Sequence, residues 1–369
     1  MKIDRVDMLR VRMPVIHPYE TSYGRVDHAD HIVLKVYTPD FAVFTESAAG
    51  AIPGFSYETL GTAREILKSF LLPAVMGKTI RAPEDFAPLC RGLRGHPMTK
   101  AAVENAIWIL KALEEGKSLA ALLGNEKKSI PAGAGVGIQD TKEELIALVG
   151  AYLNQGYAKI KMKIKPGMDV KRVAAVRKVY PDIVLMVDAN NAYRLDDIDT
   201  LKALDDFNLL VIEQPLEYDD IFYHAILQAR LKTPIGLDES IQKPYSASLA
   251  IELKACRSIN IKQSRVGGLS CAKTIHDICQ AGGVGVWCGG MMETGIGRAV
   301  LLALSGLPNF IYPMDIGASD KYFHQDIVEP AFKLNPDGTL NVPQGPGLGV
   351  EVNERVLDHF TVAREVIRV

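Results

Sequence analysis

The segments KIKMKI (159–164), VLMVDAN (184–190), LLVIEQP (209–215), PIGLDES (234–240) and INIKQS (259–264) decide the fold. Each is a short apolar run that ends in charge, at Lys163, Asp188, Glu213, Asp238 and Lys262. The steps between these residues are 25, 25, 25 and 24. A strand and its return helix need roughly 25–30 residues, so the spacing predicts one charged residue per βα unit. In a closed parallel barrel the C-terminal strand ends converge on one mouth. Three carboxylates then fill the middle of an arc, with a lysine on either side.

The same alternation extends in both directions. IPAGAGVGI (130–138) reads as a first buried strand, and TKEELIALVGAYLNQ (141–155) as a helix opened by a Thr-x-x-Glu capping box. Further strands are predicted near 157–164, 183–189, 209–214, 234–239, 258–263, 284–289 and 310–316. Helices such as 170–179, 220–232 and 270–281 fill the gaps. The count is seven βα units and a closing eighth strand, IYPMDI (311–316). Strands this apolar suit a parallel sheet covered on its outer face. An open doubly wound sheet is the rival architecture, but it does not gather charge from five consecutive strands at one point.

Outside this region the pattern is α+β. Strands are predicted over 2–13 and 31–46, loops over 14–30 and 48–58, and helices near 57–75 and 98–123, the last closed by Gly124. Past about 330, Asn335-Pro336-Asp337-Gly338 forms a turn and the tail is expected to pack back on the N-terminal unit. The fold class expected is α/β, a (β/α)7β modified TIM barrel over 126–330. Residues 1–125 and 331–369 together build its α+β capping domain.

Composition narrows the function. Of 369 residues, 48% are hydrophobic and 23% charged, as in globular proteins, and the net charge of −2 favours neither nucleic acid nor a membrane surface as partner. No apolar run approaches the roughly 20 residues of a membrane span. The first residues alternate like a strand and lack the apolar core of a signal peptide. Five cysteines without metal-site spacing are expected to be reduced thiols in the cytoplasm.

The mouth suggests a chemistry. Asp188, Glu213 and Asp238 offer only hard oxygen ligands, which favours Mg²⁺ or Mn²⁺ over Zn²⁺. Three close carboxylates would raise one another's pKa without a cation between them. Lys163 and Lys262 flank the trio as candidate proton carriers, since a lysine desolvated near a cation can act as a base. Lys161 shares the strand face of Lys163, where it can hold that base neutral or steady a carboxylate. Asn190 and Glu239 are expected to support the ligands. Lys159 and Lys165 are expected at solvated strand ends, and Asp315 in more remote polar packing.

The runs KIKMKI, VDANN, IEQP, GLDES, NIKQSRVGG and WCGGMMETGIGRA (287–299) resemble the enolase superfamily in its muconate-lactonizing branch. The likeness covers essentially the whole chain and is greatest to the o-succinylbenzoate synthase and N-succinylamino acid racemase group. It implies that a Mg²⁺-bound carboxylate substrate loses its α-proton to a lysine and that the metal stabilises the enediolate. It implies Asp188, Glu213 and Asp238 as metal ligands and Lys163 and Lys262 as the acid/base pair. Glu293 would line the mouth beside Gly289 and Gly290. The 14–30 and 48–58 loops, with Tyr19, Tyr23, Phe55 and Tyr57, would close over an apolar or acyl group. Gly135 stands where this group leads one to expect a small hydroxyl residue, which removes one substrate hydrogen bond. His17, His28 and His31 either stand solvated in the loop or touch substrate, and Trp287, Met291 and Met292 are expected to serve packing.

Dehydration to o-succinylbenzoate needs one base, whereas racemization of N-acylamino acids needs both lysines. The sequence permits either, and dipeptide epimerization or muconate-type cycloisomerization are alternatives. In a different class stand a Schiff-base lysine aldolase and a barrel that only binds a carboxylate. The expected partners are a small-molecule carboxylate and further copies of the chain, as a homo-oligomer.

Overall fold

The protein is described by a computed structural model covering residues 1–22 and 24–368. Among these residues, seven parallel strands run in sequence order around one sheet: β5 (Gly133–Val136), β6 (Lys159–Lys163), β7 (Leu185–Asp188), β8 (Ile212–Glu213), β9 (Ile235–Leu237), β10 (Ser258–Ile261) and β11 (Gly285–Cys288). Helices between them cover the outer face, among them Lys142–Gln155, whose Thr141–Glu144 capping box is formed as predicted. Inside the ring, small residues make room for large ones. A Cβ on Gly236 would stand 2.6 Å from the Trp287 ring.

The closing eighth strand is not a continuous ladder. Residues 310–315 join the ring through isolated parallel bridges: Val286 to Phe310 and Gly289 to Asp315 on one side, Ala132 to Met314 on the other. Pro313 has no N–H to donate, which interrupts a regular pairing here. The barrel still closes, because Met314 N donates to Pro131 O at 3.0 Å and Asp315 N to Cys288 O at 2.9 Å.

The stretch 130–138 divides in two. Its beginning is β4 (Ser129–Pro131), and only the remainder enters the barrel. Beyond the barrel, β12 (Val328–Glu329) pairs with β14 (Glu351–Val352), while β13 (Thr339–Asn341) pairs antiparallel with β4. The Asn335–Gly338 turn precedes β13, with Gly338 N donating to Asn335 O at 2.9 Å.

The cap is a four-stranded antiparallel sheet of β1 (Arg5–Thr21), β2 (Gly24–Tyr37), β3 (Ala42–Ser47) and β15 (Thr361–Arg368), in the order β15-β1-β2-β3. The tail therefore returns to the N-terminal unit as expected. Two sequence expectations need correction. Residues 14–21 and 24–30 are not a loop: they continue β1 and β2 as paired strands, with a register shift between Pro14 and Tyr19 and renewed pairing of Tyr19 with Val26. Two prolines and a run of polar residues hide the alternation. The helix expected over 98–123 is two helices, Pro97–Glu114 and Leu119–Leu123. The left-handed Gly116 (φ 62°) ends the first and Ser118 caps the second. Gly124 closes the second helix in the left-handed conformation (φ 89°).

Helix Pro97–Glu114 joins cap to barrel through Glu104. The buried Glu104 carboxylate accepts from Leu269 N (2.7 Å), Ser270 N (3.1 Å) and the Ser270 hydroxyl at the start of helix Leu269–Ala281, and from Trp108 Nε1 (2.8 Å). It satisfies first-turn N–H groups that have no partner within the helix and complements the helix dipole. Glu104→Ala is expected to cost about 2–4 kcal/mol, because several buried donors lose their acceptor. The denaturant midpoint measures this. An unchanged midpoint would mean that the joint contributes nothing to stability.

Candidate active site

Strand register brings the charged residues into one row. Lys163 stands opposite Asp188, and Asp188 opposite Glu213. Asp238 follows the last residue of β9, and Lys262 the last residue of β10. All three carboxylates are buried. Lys163 Nζ donates to Asp188 Oδ2 at 2.6 Å and to Asn190 Oδ1 at 2.5 Å. On the other flank Lys262 Nζ donates to Asp238 Oδ2 at 2.7 Å. Between them Lys161 lies 3.0 Å from Glu213, 3.3 Å from Asp188 and 2.7 Å from Asp315. Asn190 Nδ2 donates to Glu239 Oε1 at 2.9 Å, which ties both supporting residues to the row.

Burial and charge set the protonation tendencies. Burial would raise Asp188, but the Lys163 and Lys161 ammoniums hold it below the usual carboxylate range. Glu213 is raised, first by burial and then by neighbouring Asp188. Burial lowers Lys262, and the charge of Lys161 adds to the effect. Lys161 moves the other way: burial opposes its charge, but Asp315, Glu213 and Asp188 together outweigh it.

Among the described residues, no three acidic, histidine or cysteine side chains stand grouped for an ion. Each carboxylate of the trio is turned onto a cation instead. Their chemistry nonetheless suits a hard divalent ion, because each offers a buried carboxylate oxygen and the three stand at the ends of consecutive strands. Beside them Glu239 Oε2 is buried and has no hydrogen-bond partner among the described residues.

Above the row lies a cavity of about 410 Å³, bordered by Lys161, Lys163, Lys262, Asn190 and Gly290 from the barrel and by Phe55 from the cap. The Phe55 ring sits 4.1 Å from the Lys262 ammonium, so it contacts a candidate base as well as the cavity. Gly289 is required by close approach: a Cβ there would stand 2.4 Å from Asn260 and 2.8 Å from Lys262 Cε. Tyr23 lies outside the described residues.

Several expectations change. Lys159 is not at a solvated end. It is 1% exposed inside the barrel and pairs with Asp315 at 2.8 Å. Asp315 is central rather than remote, since it also binds Lys161 and accepts from Trp287 Nε1 at 2.8 Å. Glu293 does not line the mouth. Its side chain turns back to accept from Met291 N at 2.6 Å, and it is buried. Tyr57 points away and is half exposed, its hydroxyl accepting from His96 N. His31 is buried on the cavity wall with Nε2 3.1 Å from Met292 O, whereas His17 is exposed and His28 pairs with Asp27. Met291 and Met292 border the cavity as well. At Gly135 the missing side chain makes way for another group: a Cβ there would meet the Tyr19 hydroxyl at 3.0 Å.

Sequence reasoning gave no role to two further residues. Arg265 is buried and donates to Asp238 Oδ1, to Ile241 O at 2.8 Å and to Asn260 O at 2.6 Å. Asn260 Nδ2 donates to Glu213 Oε1 at 2.7 Å. A period of two before Lys262 marks Asn260, and one helical turn after it marks Arg265.

Comparison with known proteins agrees with this geometry. Residues 144–356 match the family described as enolase C-terminal domain-like. Residues 5–124 match the mandelate racemase / muconate lactonizing enzyme N-terminal domain. The chain belongs to the enolase superfamily. Within that superfamily it is 44% identical over 365 residues to an N-succinylamino acid racemase of an Amycolatopsis species, covering 99% of each. It is 43% identical over 362 residues to an o-succinylbenzoate synthase of Geobacillus stearothermophilus, covering 98% of this chain and 96% of that protein. The solved structure of an enolase superfamily member from Listeria innocua superposes with a TM-score of 0.96 at 40% identity, over 100% of this chain and 99% of that one.

The position of Asp315 has a measurable consequence. Removing one partner of a buried ion pair costs about 3–5 kcal/mol, so Asp315→Asn is expected to destabilise by that amount at neutral pH. Burial alone would raise the Asp315 carboxyl, but Lys159 and Lys161 hold it far below the usual range. A depressed carboxylate contributes its stability fully above its unfolded pKa of about 3.9 and loses it in acid below that. The gap between wild type and variant should therefore stay constant from pH 8 to 5 and narrow only under stronger acid. Equilibrium unfolding across pH measures it, and a gap that instead narrowed between pH 5 and 8 would contradict the assignment.

Proposed function

We propose that the chain removes the α-proton of a carboxylate substrate, as an o-succinylbenzoate synthase, an N-succinylamino acid racemase, or both. The observation that carries this reading is the pair of lysines, Lys163 and Lys262, on either flank of a buried carboxylate row and facing one cavity. The racemase and synthase relatives stand at 44% and 43% identity, which supports keeping both reactions.

In this reading Asp188, Glu213 and Asp238 would hold Mg²⁺, or Mn²⁺ in its place. When bound, such an ion would supply positive charge opposite the substrate carboxylate and the negative charge that develops as the proton leaves. Lys262, its pKa lowered by burial, takes or returns a proton at one face of the α-carbon. Lys163 does so at the other. Lys161 stays charged among its three carboxylates and steadies the row. Arg265 and Asn260 fix Asp238 and Glu213 in position. Phe55 and the hairpin of β1 and β2 exclude water from above. A dehydration uses one lysine as base and leaves the other as a charge, whereas racemization uses both.

Residues 126–330 carry the chemistry here, and 1–125 with 331–369 cap it. We further infer a homo-oligomer in the cytoplasm. The five cysteines are free, which suits a reducing compartment. Among the described residues no helix is long and apolar enough to cross a membrane.

Isotope exchange separates the lysines. Lys262→Ala is expected to block α-proton exchange from one enantiomer of an N-succinylamino acid by at least about 100-fold and to spare the other at least partly. Unchanged exchange from both would refute the two-base reading. For the metal, dialysis against a chelator should abolish exchange and Mg²⁺ should restore it. Full activity in excess chelator would exclude the carboxylate trio as a required metal site.

A further inference from the structure

A second cavity of about 520 Å³ adjoins the first and belongs to no step above. Tyr19, Gly135, Met292 and Tyr322 border both, so the two spaces share a wall. Lys321 projects into the second. Its ammonium donates to Gly135 O at 3.1 Å and to the Tyr322 hydroxyl at 3.3 Å, and it lies 5.1 Å from the Tyr152 ring and 4.7 Å from the Tyr322 ring.

All of these partners are neutral. Among the described residues no carboxylate lies within ion-pair distance of Lys321, whereas Lys159, Lys161, Lys163, Lys262 and Arg265 of the barrel each have one. The acids that border this second cavity are engaged or outward. Glu20 lies 3.6 Å from Lys165, Glu144 caps its own helix, and Asp140 is exposed. His17 and Arg25, the other charged or titratable groups on this wall, are exposed too. Burial lowers the Lys321 pKa, and the Tyr152 hydroxyl and the more distant Asp315 carboxylate offset this only in part. A desolvated ammonium held among neutral groups is costly unless an anion completes it.

We propose that the second cavity is the subsite for a remote carboxylate of the substrate, with Lys321 as its counter-ion. The α-carboxylate and reacting carbon sit over the row of Asp188, Glu213 and Asp238. The acyl arm passes Tyr19 and Gly135, its methylenes pack between the Tyr152 and Tyr322 rings, and its terminal carboxylate meets Lys321. The subsite thus selects dicarboxylates over substrates with a neutral acyl group. This inference rests on the proposed reaction of succinyl-bearing substrates.

Binding by the full chain, read by calorimetry with N-succinylglycine and N-acetylglycine, tests it without turnover. Wild type should prefer the succinyl ligand. Lys321→Met keeps the side-chain stem and should reduce the succinyl-over-acetyl preference at least about tenfold, the loss of one charge-assisted contact. Lys321→Arg should keep most of the preference. An undiminished preference in Lys321→Met would overturn the proposal. So would an equal loss of affinity for both ligands, which would mark the lysine as structural support. A wild type that binds with this preference but exchanges no α-proton would instead remove the proposed reaction and leave the anion subsite standing.

Discussion

Buried inside the barrel, Lys161 reaches Asp315 at 2.7 Å, Glu213 at 3.0 Å and Asp188 at 3.3 Å. Its charge makes three buried carboxylates compatible with one another, since without it their mutual repulsion would add to the cost of desolvation. Lys159 extends the network downward to Asp315, and Lys163 and Lys262 extend it outward along the row. Cations and carboxylates alternate from the barrel floor to its mouth. The side chains that face the cavity are therefore held by ion pairs rather than by packing alone, which suits a site that must keep its geometry while protons move through it.

Much of this was legible in the sequence because one period governs it. Charge recurring every 24 or 25 residues at the ends of apolar runs fixed the strand order, the row and the flanking lysines. What the period does not carry is depth. Lys159, Lys161 and Lys163 share a strand face, but which of them reaches solvent depends on how the strands are staggered around the barrel, and that stagger leaves no mark in the chain. Lys159 therefore reads as a surface residue although it lies at the core. Asp315 was obscured for a related reason: it sits on a segment bridged to Val286 and Gly289 on one side and to Ala132, just before β5, on the other, and its partners are far away in sequence.

The cap was less legible because its contacts are non-local and its composition is irregular. The polar stretches 14–21 and 24–30 gain their strand character from pairing of β1 with β2 rather than from alternation. Glu293 follows two glycines and two methionines in a loop, where no periodicity indicates which way a side chain points. It turned inward to satisfy Met291 N. Gly135 and Tyr19 show the same limit. An absent side chain on one strand is understood only once a hydroxyl from another part of the chain is seen to occupy the space.

The cap sheet also has a history in time. β1 is flanked by β2 on one side and by β15 on the other, and β15 lies about 350 residues further along the chain. A ribosome adds about 5–20 residues per second, so one edge of β1 stays open for roughly 20–70 s while the barrel is made. Open strand edges invite pairing with other chains, and charged side chains blunt that tendency. Along this strand Arg5 is clasped to Asp7, and Arg10 and Arg12 to Asp30 on its neighbour. The exposed arginines among them are side chains of the kind that blunts such pairing while the last strand is still to come.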